Sequence, residues 1–421
     1  MAFMELSIDT VAVTADLDGI AACTSSPIPG VTRILYSAAD MEARAYMRAR
    51  CAAAGLAVRE DGIGNLFARW LGSAPDLPAV ASGSHIDAIP NAGRYDGTVG
   101  VVGALEAIRA LQRVGFTPRR SIEVVIFTAE EPTRFGIGCL GSRALCGAFT
   151  PEQLRAQRDG AGRALEDLRA EAGFAAPLED VLLPTGFYHA FVELHIEQGP
   201  LLETEGVPIG VVRAIAAPAS LRVSLRGIGG HAGTVLMPGR RDALLAAAEV
   251  ALAVERVALG VGSPDTVATT GVLHIEPGTL NSIPSAATLE IDVRDIADEP
   301  RDAALRAICT AVAEICDRRL ITYTIHQLNA DPPATSDLGV VEVIVHACEH
   351  LGMHYQMMVS RAYHGSLFMA RICPTAMIFI PCRGGVSHRP DEYAAPDDIA
   401  GGIAVLARSL AMLSLESVPQ A

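Results

Sequence analysis

The stretch PAVASGSHIDAIPNAGRYDGTVGVVGALEAIRALQRVG (78–115) reads as a strand, a polar loop and a helix in immediate succession. PAVASGSH (78–85) is an apolar run that ends on polar residues, as a buried strand reaching the edge of its sheet does. From Thr98 the period changes. Val101, Leu105, Ile108 and Leu111 recur at spacings of three and four, which stacks them on one helical face. The same design returns in SIEVVIFTAEE (121–131) and AFVELHIEQG (190–199), each an apolar run followed by ionisable side chains. Strands alternating with amphipathic helices predict an α/β architecture, a mixed and largely parallel sheet between helices. Ligands of such sheets collect beyond the carboxyl ends of the strands, so the repeated pattern also locates a site.

Near Arg213 the texture changes. LRVSLRGIGG (221–230) and ATLEIDVRD (287–295) alternate apolar and polar residues with period two, as half-buried antiparallel strands do. The helical stretches 241–259 and 301–319 lie between and after them. An antiparallel sheet with two helices on one face is a sensible α+β unit of its own. Residues 150–185 read as a charged, helical excursion. Beyond 331 the α/β texture returns, with a helix near 338–351, the strand TAMIFIP (375–381) and a closing helix DDIAGGIAVLARSLAML (397–413). The expected organisation is a discontinuous first domain, 1–212 and 331–421, with a lid of 213–330 inserted into it.

Composition sets outer bounds. Half of the 421 residues are hydrophobic and 19% are charged, with a mean hydropathy of +0.31, which excludes an intrinsically disordered chain. The 33 Lys and Arg face 48 Asp and Glu, a net charge of -15, and no basic block stands out; no nucleic-acid partner is expected. Nine cysteines are scattered without a C-x-x-C, so neither a disulfide framework nor a cysteine zinc site is expected, and a reducing cytoplasm fits. The opening MAFMELSIDTVAVTADLDGI lacks a basic leader, and no stretch approaches the roughly 20 uninterrupted apolar residues of a membrane helix. No membrane partner is expected.

Four polar clusters follow the apolar runs: GSHIDAIPNAGRYDG (83–97), FTAEEPTRFG (127–136), ELHIEQGP (193–200) and GGVSHRPDEY (384–393). Together they offer His85, Asp87, Asp96, Glu130, Glu131, His195 and His388. Imidazole and carboxylate without thiolate suit Zn2+, Mn2+, Co2+ or Ni2+. Each cluster also has a plainer reading. A histidine is more often a satisfied core or surface residue than a ligand, and adjacent acids can sit at a helix N-terminus. Two acids side by side after a buried strand, however, need a cation, and four clusters at strand ends weigh more than any one.

GSHIDAIPNAGRYDGTVGVVGALE followed by FTAEEPTRFG resembles the di-metal amidase and peptidase superfamily that includes aminoacylases and glutamate-releasing carboxypeptidases. His195 in ELHIEQGPLLE, where peptidases place an acid, is similar to the branch that hydrolyses N-carbamoyl-L-amino acids, allantoate and ureidoglycolate. The resemblance implies that His85, Asp96, Glu131, His195 and His388 ligate two metal ions with Asp96 bridging, Mn2+ foremost. It implies that Glu130 is the general base and Asp87 the partner of His85.

By the same resemblance the lid supplies the substrate contacts. His231 in GIGGHAGT stabilises the oxyanion, Asn281 in GTLNSIPS hydrogen-bonds the substrate, and Arg294 in LEIDVRD pairs with its carboxylate. Gln198 touches the ureido group, and a homodimer through the lid is implied. In SRAYHGSLFMA (360–370), Tyr363 precedes His364, where allantoate-hydrolysing relatives carry small residues before the histidine; this form is most similar to ureidoglycolate amidohydrolases, with both residues at the substrate. The expected activity is hydrolysis of the ureido C–N bond of a small carboxylate, (S)-ureidoglycolate first, to glyoxylate, ammonia and CO2. An N-carbamoyl-L-amino-acid hydrolase, an allantoate amidohydrolase, a metallo-aminopeptidase and a non-catalytic small-acid binder are the alternatives.

Overall fold

The computed structural model describes residues 6–416; of the opening stretch quoted above, 1–5 lie outside it. The chain divides into two compact units. The first takes in residues up to Arg213, Ser336–Met358 and His364 onward; the second is Ala214–Thr335 with Val359–Tyr363.

In the first unit the sheet runs through Ile209–Ile215, Thr375–Ile380, Tyr188–Ile196, Ala79–His85, Ile122–Phe127, Leu66–Trp70 and Ala57–Glu60 in that order. The four strands from Thr375–Ile380 to Ile122–Phe127 are mutually parallel, and antiparallel strands flank them. Ala79–His85, Ile122–Phe127 and Thr375–Ile380 are buried along their whole length. That is why they read as continuous apolar runs: strands covered on both faces have no solvent side to alternate with. One cover is the helix Thr98–Arg113. Its Gly100 lies so close to the strand Tyr188–Ile196 that a Cβ would stand 2.3 Å from the Leu194 carbonyl oxygen. Pro396–Leu415 has the length and apolarity of a membrane helix, but its Ile399, Ile403, Leu406, Leu410 and Leu413 pack in the core of this unit. The helices Thr10–Ala22 and Ala38–Ala53 had no counterpart in the sequence reading. The 150–185 excursion is three short helical pieces, Pro151–Ala156, Leu165–Glu171 and the 3-10 turn Leu178–Val181.

The second unit is a four-stranded antiparallel sheet, Val267–Glu276, Ala286–Asp295, Ala217–Arg226 and Thr322–Ala330 in spatial order. Its inward residues Leu221, Val223, Leu225, Leu289, Ile291 and Val293 form one core with Val250, Val254, Ile308 and Val312 of the helices Ala243–Gly260 and Asp298–Arg319. Both outer strands escaped the sequence reading because they are largely solvated and carry little apolar alternation. Residues 331–335 and Val359–Tyr363 fall with this unit, not with the first. Asp331 accepts from Arg301 through its carbonyl and from the Tyr363 hydroxyl through its carboxylate, and the Ser360 carbonyl takes the Ala216 N–H at 2.8 Å.

Candidate metal centre

Four segments of the first unit converge at the carboxyl ends of its parallel strands. Ala79–His85 ends on His85, Ile122–Phe127 runs on to Glu130 and Glu131, Tyr188–Ile196 carries His195, and the loop after Thr375–Ile380 carries His388. The register sets His85 beside Phe127 and His195 beside Phe379, so the histidines are presented at one level of the sheet.

Asp96 is the hub. Its Oδ1 lies 3.2 Å from His195 Nε2 and 3.7 Å from His85 Nε2, while its Oδ2 lies 3.1 Å from His388 Nε2. His388 Nε2 is also 3.4 Å from Glu131 Oε1. The donor atoms of His85, Asp96 and His195 all lie within 4.8 Å of one another, and so do those of Asp96, Glu131 and His388. Two donor groups thus share one carboxylate.

The imidazoles are oriented by backbone. His85 Nδ1 meets the Asp87 carbonyl oxygen at 3.0 Å and His195 Nδ1 meets the Ile196 carbonyl oxygen at 2.9 Å. A carbonyl accepts only, so each Nδ1 carries a proton, and each Nε2 is the nitrogen that faces Asp96 and that a cation would take. The expected Asp87–His85 pairing therefore takes another form. The Asp87 carboxylate stands 3.6 Å from His85 Nδ1 and instead accepts the backbone N–H of Glu130 at 3.1 Å and of Glu131 at 3.0 Å. Gly97, at φ +66°, packs against His85; a Cβ there would stand 2.3 Å from its ring.

The electrostatics call for cations. Burial, with help from Asp87 and Asp96, raises Glu130 to about 7 against the opposing pull of His85. Burial, Glu130 and Asp96 raise Glu131 to about 8. The hydrogen bond with Asp96, then Glu131, raises His388 to about 9. Burial acts to raise Asp96, yet the hydrogen bonds from His195, His388 and His85 outweigh it and hold the carboxyl well below its ordinary range. Packing Asp96, Glu130 and Glu131 side by side in a site where each is at most 9% exposed is costly unless positive charge enters. Three imidazoles and two carboxylates, with no thiolate, fit a pair of divalent cations.

Further residues build the site that the sequence reading did not single out. Glu392 Oε1 accepts the N–H groups of Tyr95 and Asp96, and the Ser387 hydroxyl lies 2.9 Å from Asp96 Oδ2 and 3.0 Å from Glu392 Oε2. Both stood within GGVSHRPDEY, without a pattern to mark them. Glu193, bonded by Ser84 at 2.6 Å and by the Ser366 N–H at 3.1 Å, sits with His195 and His364 in a third buried group. Two residues before His195 on one strand, it shares that face, a signal that period two already offered. Cys139 donates its thiol to Glu130 Oε1 at 3.3 Å, and burial followed by the Glu130 charge pushes that thiol well up, keeping it protonated.

The remaining expected residues divide between the units. Gln198 Nε2 donates to Asp96 Oδ2 at 2.9 Å, while its buried Oε1 has no hydrogen-bond partner. The His364 ring lies edge-on to His195 with centroids 4.6 Å apart. In the second unit, His231 and Asn281 are neighbours: Gly230–His231 pairs with Ser282–Ile283, and the Asn281 carbonyl accepts the Ala232 N–H at 2.9 Å. His231 Nδ1 accepts the Gly233 N–H at 3.1 Å, so its Nε2 bears the proton and is a donor. Arg294 is engaged within the unit, with Nε 2.8 Å from Asp292 Oδ1 and Nη1 donating to the Arg361 carbonyl at 2.9 Å. Tyr363 donates to Asp331.

The family model for peptidase family M20/M25/M40 matches residues 81–412. The chain is 51% identical over 414 residues to a ureidoglycolate hydrolase of Oryza sativa subsp. japonica, covering 97% of this chain and 86% of the relative. It is also 51% identical over 418 residues to a ureidoglycolate hydrolase of Arabidopsis thaliana, covering 98% and 88%. Among solved structures, AtUAH in complex with (S)-hydroxyglycine superposes with a TM-score of 0.90 at 50% identity, over 98% of this chain and 99% of that one. AtUAH in complex with glyoxylate gives the same TM-score of 0.90. An N-carbamoyl-L-amino acid amidohydrolase of Geobacillus stearothermophilus and an allantoate amidohydrolase of Escherichia coli are 37% and 35% identical.

Proposed function

The chain belongs to peptidase family M20/M25/M40, and on that premise we propose that it removes the terminal ureido nitrogen of a small carboxylate, (S)-ureidoglycolate. It is a hydrolase of linear amide C–N bonds from a metal-dependent family. The observation that carries the reading is Asp96, whose two oxygens face histidines on opposite sides with an unligated acid, Glu130, beside them. His85, Asp96, Glu131, His195 and His388 would hold two divalent cations, Mn2+ first and Zn2+, Co2+ or Ni2+ as alternatives. Such a pair, when bound, acidifies water and polarises a carbonyl.

Glu130 takes the proton of the water that attacks the carbamoyl carbon and returns it to the departing ammonia. Gln198 Oε1, buried and unpartnered, accepts an N–H of the ureido group. His231 offers its Nε2–H to the oxyanion. Asn281, Arg294, Tyr363 and His364 bind the rest of the substrate, Arg294 exchanging Asp292 for the substrate carboxylate. The carbamate formed loses CO2 to leave hydroxyglycine, which breaks down to glyoxylate and a second ammonia. Those two compounds are the ones held in the AtUAH complexes. A homodimer through the second unit belongs to the same proposal, supported by the edge strand Val267–Glu276 with Val267 and Leu273 exposed. A cytoplasmic location agrees with nine unpaired cysteines.

The test is ammonia release from ureidoglycolate, allantoate and several N-carbamoyl-L-amino acids, side by side on Mn2+-reconstituted protein. Ureidoglycolate is expected to give the highest kcat/KM; a preference for either other class overturns the substrate assignment.

A further inference from the structure

We propose that Cys139 is a positioning residue for Glu130: its thiol pins Oε1 and leaves Oε2 as the oxygen that handles the proton. The inference rests on the reading of Glu130 as general base.

A glutamate side chain turns freely about its last bond, so a base needs one oxygen held for the other to point. Glu130 Oε1 receives the Cys139 S–H at 3.3 Å, and Oε2 faces the metal centre, 3.8 Å from His85 Nε2. Among the described residues no other side chain donates a hydrogen bond to this carboxylate. The loop is folded to make the meeting. Ala129 and Cys139 both adopt positive φ, +47° and +58°, rare for residues with a Cβ. Between them the Cys139 N–H bonds the Glu130 carbonyl at 2.7 Å and the Leu140 N–H bonds the Ala129 carbonyl at 2.8 Å. Residue 139 is thereby locked across from residue 130 through backbone, and the thiol completes the lock at the carboxylate. A thiol is a weak donor, so it orients the oxygen without drawing heavily on its charge.

The experiment uses the full-length, metal-reconstituted enzyme. Cys139→Ala and Cys139→Val remove the donor; Cys139→Ser keeps one. The donor-free variants are expected to lose about tenfold in kcat with KM, metal content and melting temperature near wild type, and Cys139→Ser to recover most of it. In the Glu130→Gln background, Cys139→Ala is expected to add no further loss, because the thiol acts only through the carboxylate. Wild-type kcat in whichever donor-free variant folds, or losses that multiply in the double variant, overturns the proposal. Wild-type kcat in Glu130→Gln alone would instead overturn the assignment of the base.

Discussion

Glu392 Oε1 accepts the backbone N–H of Asp96 at 3.0 Å, although the two residues lie 296 apart in the chain. The same oxygen takes the Tyr95 N–H at 2.7 Å, so the closing segment of the chain grips the loop that carries the hub of the metal centre. Glu392→Ala removes the acceptor of both N–H groups and the Ser387 link. It is expected to weaken metal binding by about 10- to 100-fold, with Glu392→Gln milder because it keeps an acceptor. Competition against a fluorescent chelator measures this; equal affinity in the alanine variant would mean that the loop holds itself.

Asp87 predicts differently, because its carboxylate serves the Glu130 and Glu131 N–H groups and not mainly His85. Asp87→Ala leaves two buried donors unpaired, at a cost of about 1–3 kcal/mol each. A lowered melting temperature and a kcat loss are both expected, with Asp87→Asn between the alanine variant and wild type in each. If Asp87→Asn matched wild type in melting temperature and kcat, the negative charge would be dispensable.

Gly97 combines φ +66° and ψ -45° with the close approach to the His85 ring. Gly97→Ala must move that ring or the loop, and about 1–3 kcal/mol of destabilisation is expected together with loss of bound metal. Calorimetry and elemental analysis read the two effects, and a variant with full metal content would show that the ring yields freely.

The site also predicts a pH dependence of the metal-free protein. Glu130 at about 7 and Glu131 at about 8 are raised above their unfolded values, so each destabilises the fold as pH rises past the unfolded carboxyl range. His388 at about 9 is raised as well, and the stability it lends below its unfolded pKa is lost on the way to that value. All three act in one direction: the metal-free protein melts lower at about pH 9 than at about pH 6. Cations displace these protons, so metal affinity rises over the same window. Affinity independent of pH there would contradict the assignment of Glu131 and His388 as ligands.

Much of this was legible before the fold was known. The parallel strands announced themselves because burial on both faces leaves an unbroken apolar run, and the chemistry announced itself because each run ends on ligating side chains. What stayed hidden had physical reasons. Val267–Glu276 and Thr322–Ala330 are solvated strands whose pairing comes from neighbours and not from their own pattern. Glu392, Ser387 and Cys139 act through hydrogen bonds between segments, which no local spacing encodes. Arg294 shows the converse: the resemblance implied a substrate carboxylate as its partner, and the carboxylate it meets within its own unit is Asp292.

The most direct measurement is anomalous diffraction from crystals of the Mn2+-reconstituted protein. Two manganese peaks are expected to flank the Asp96 carboxylate, one beside His85 and His195, the other beside Glu131 and His388. A single peak away from Asp96, or none, would contradict the two-cation centre.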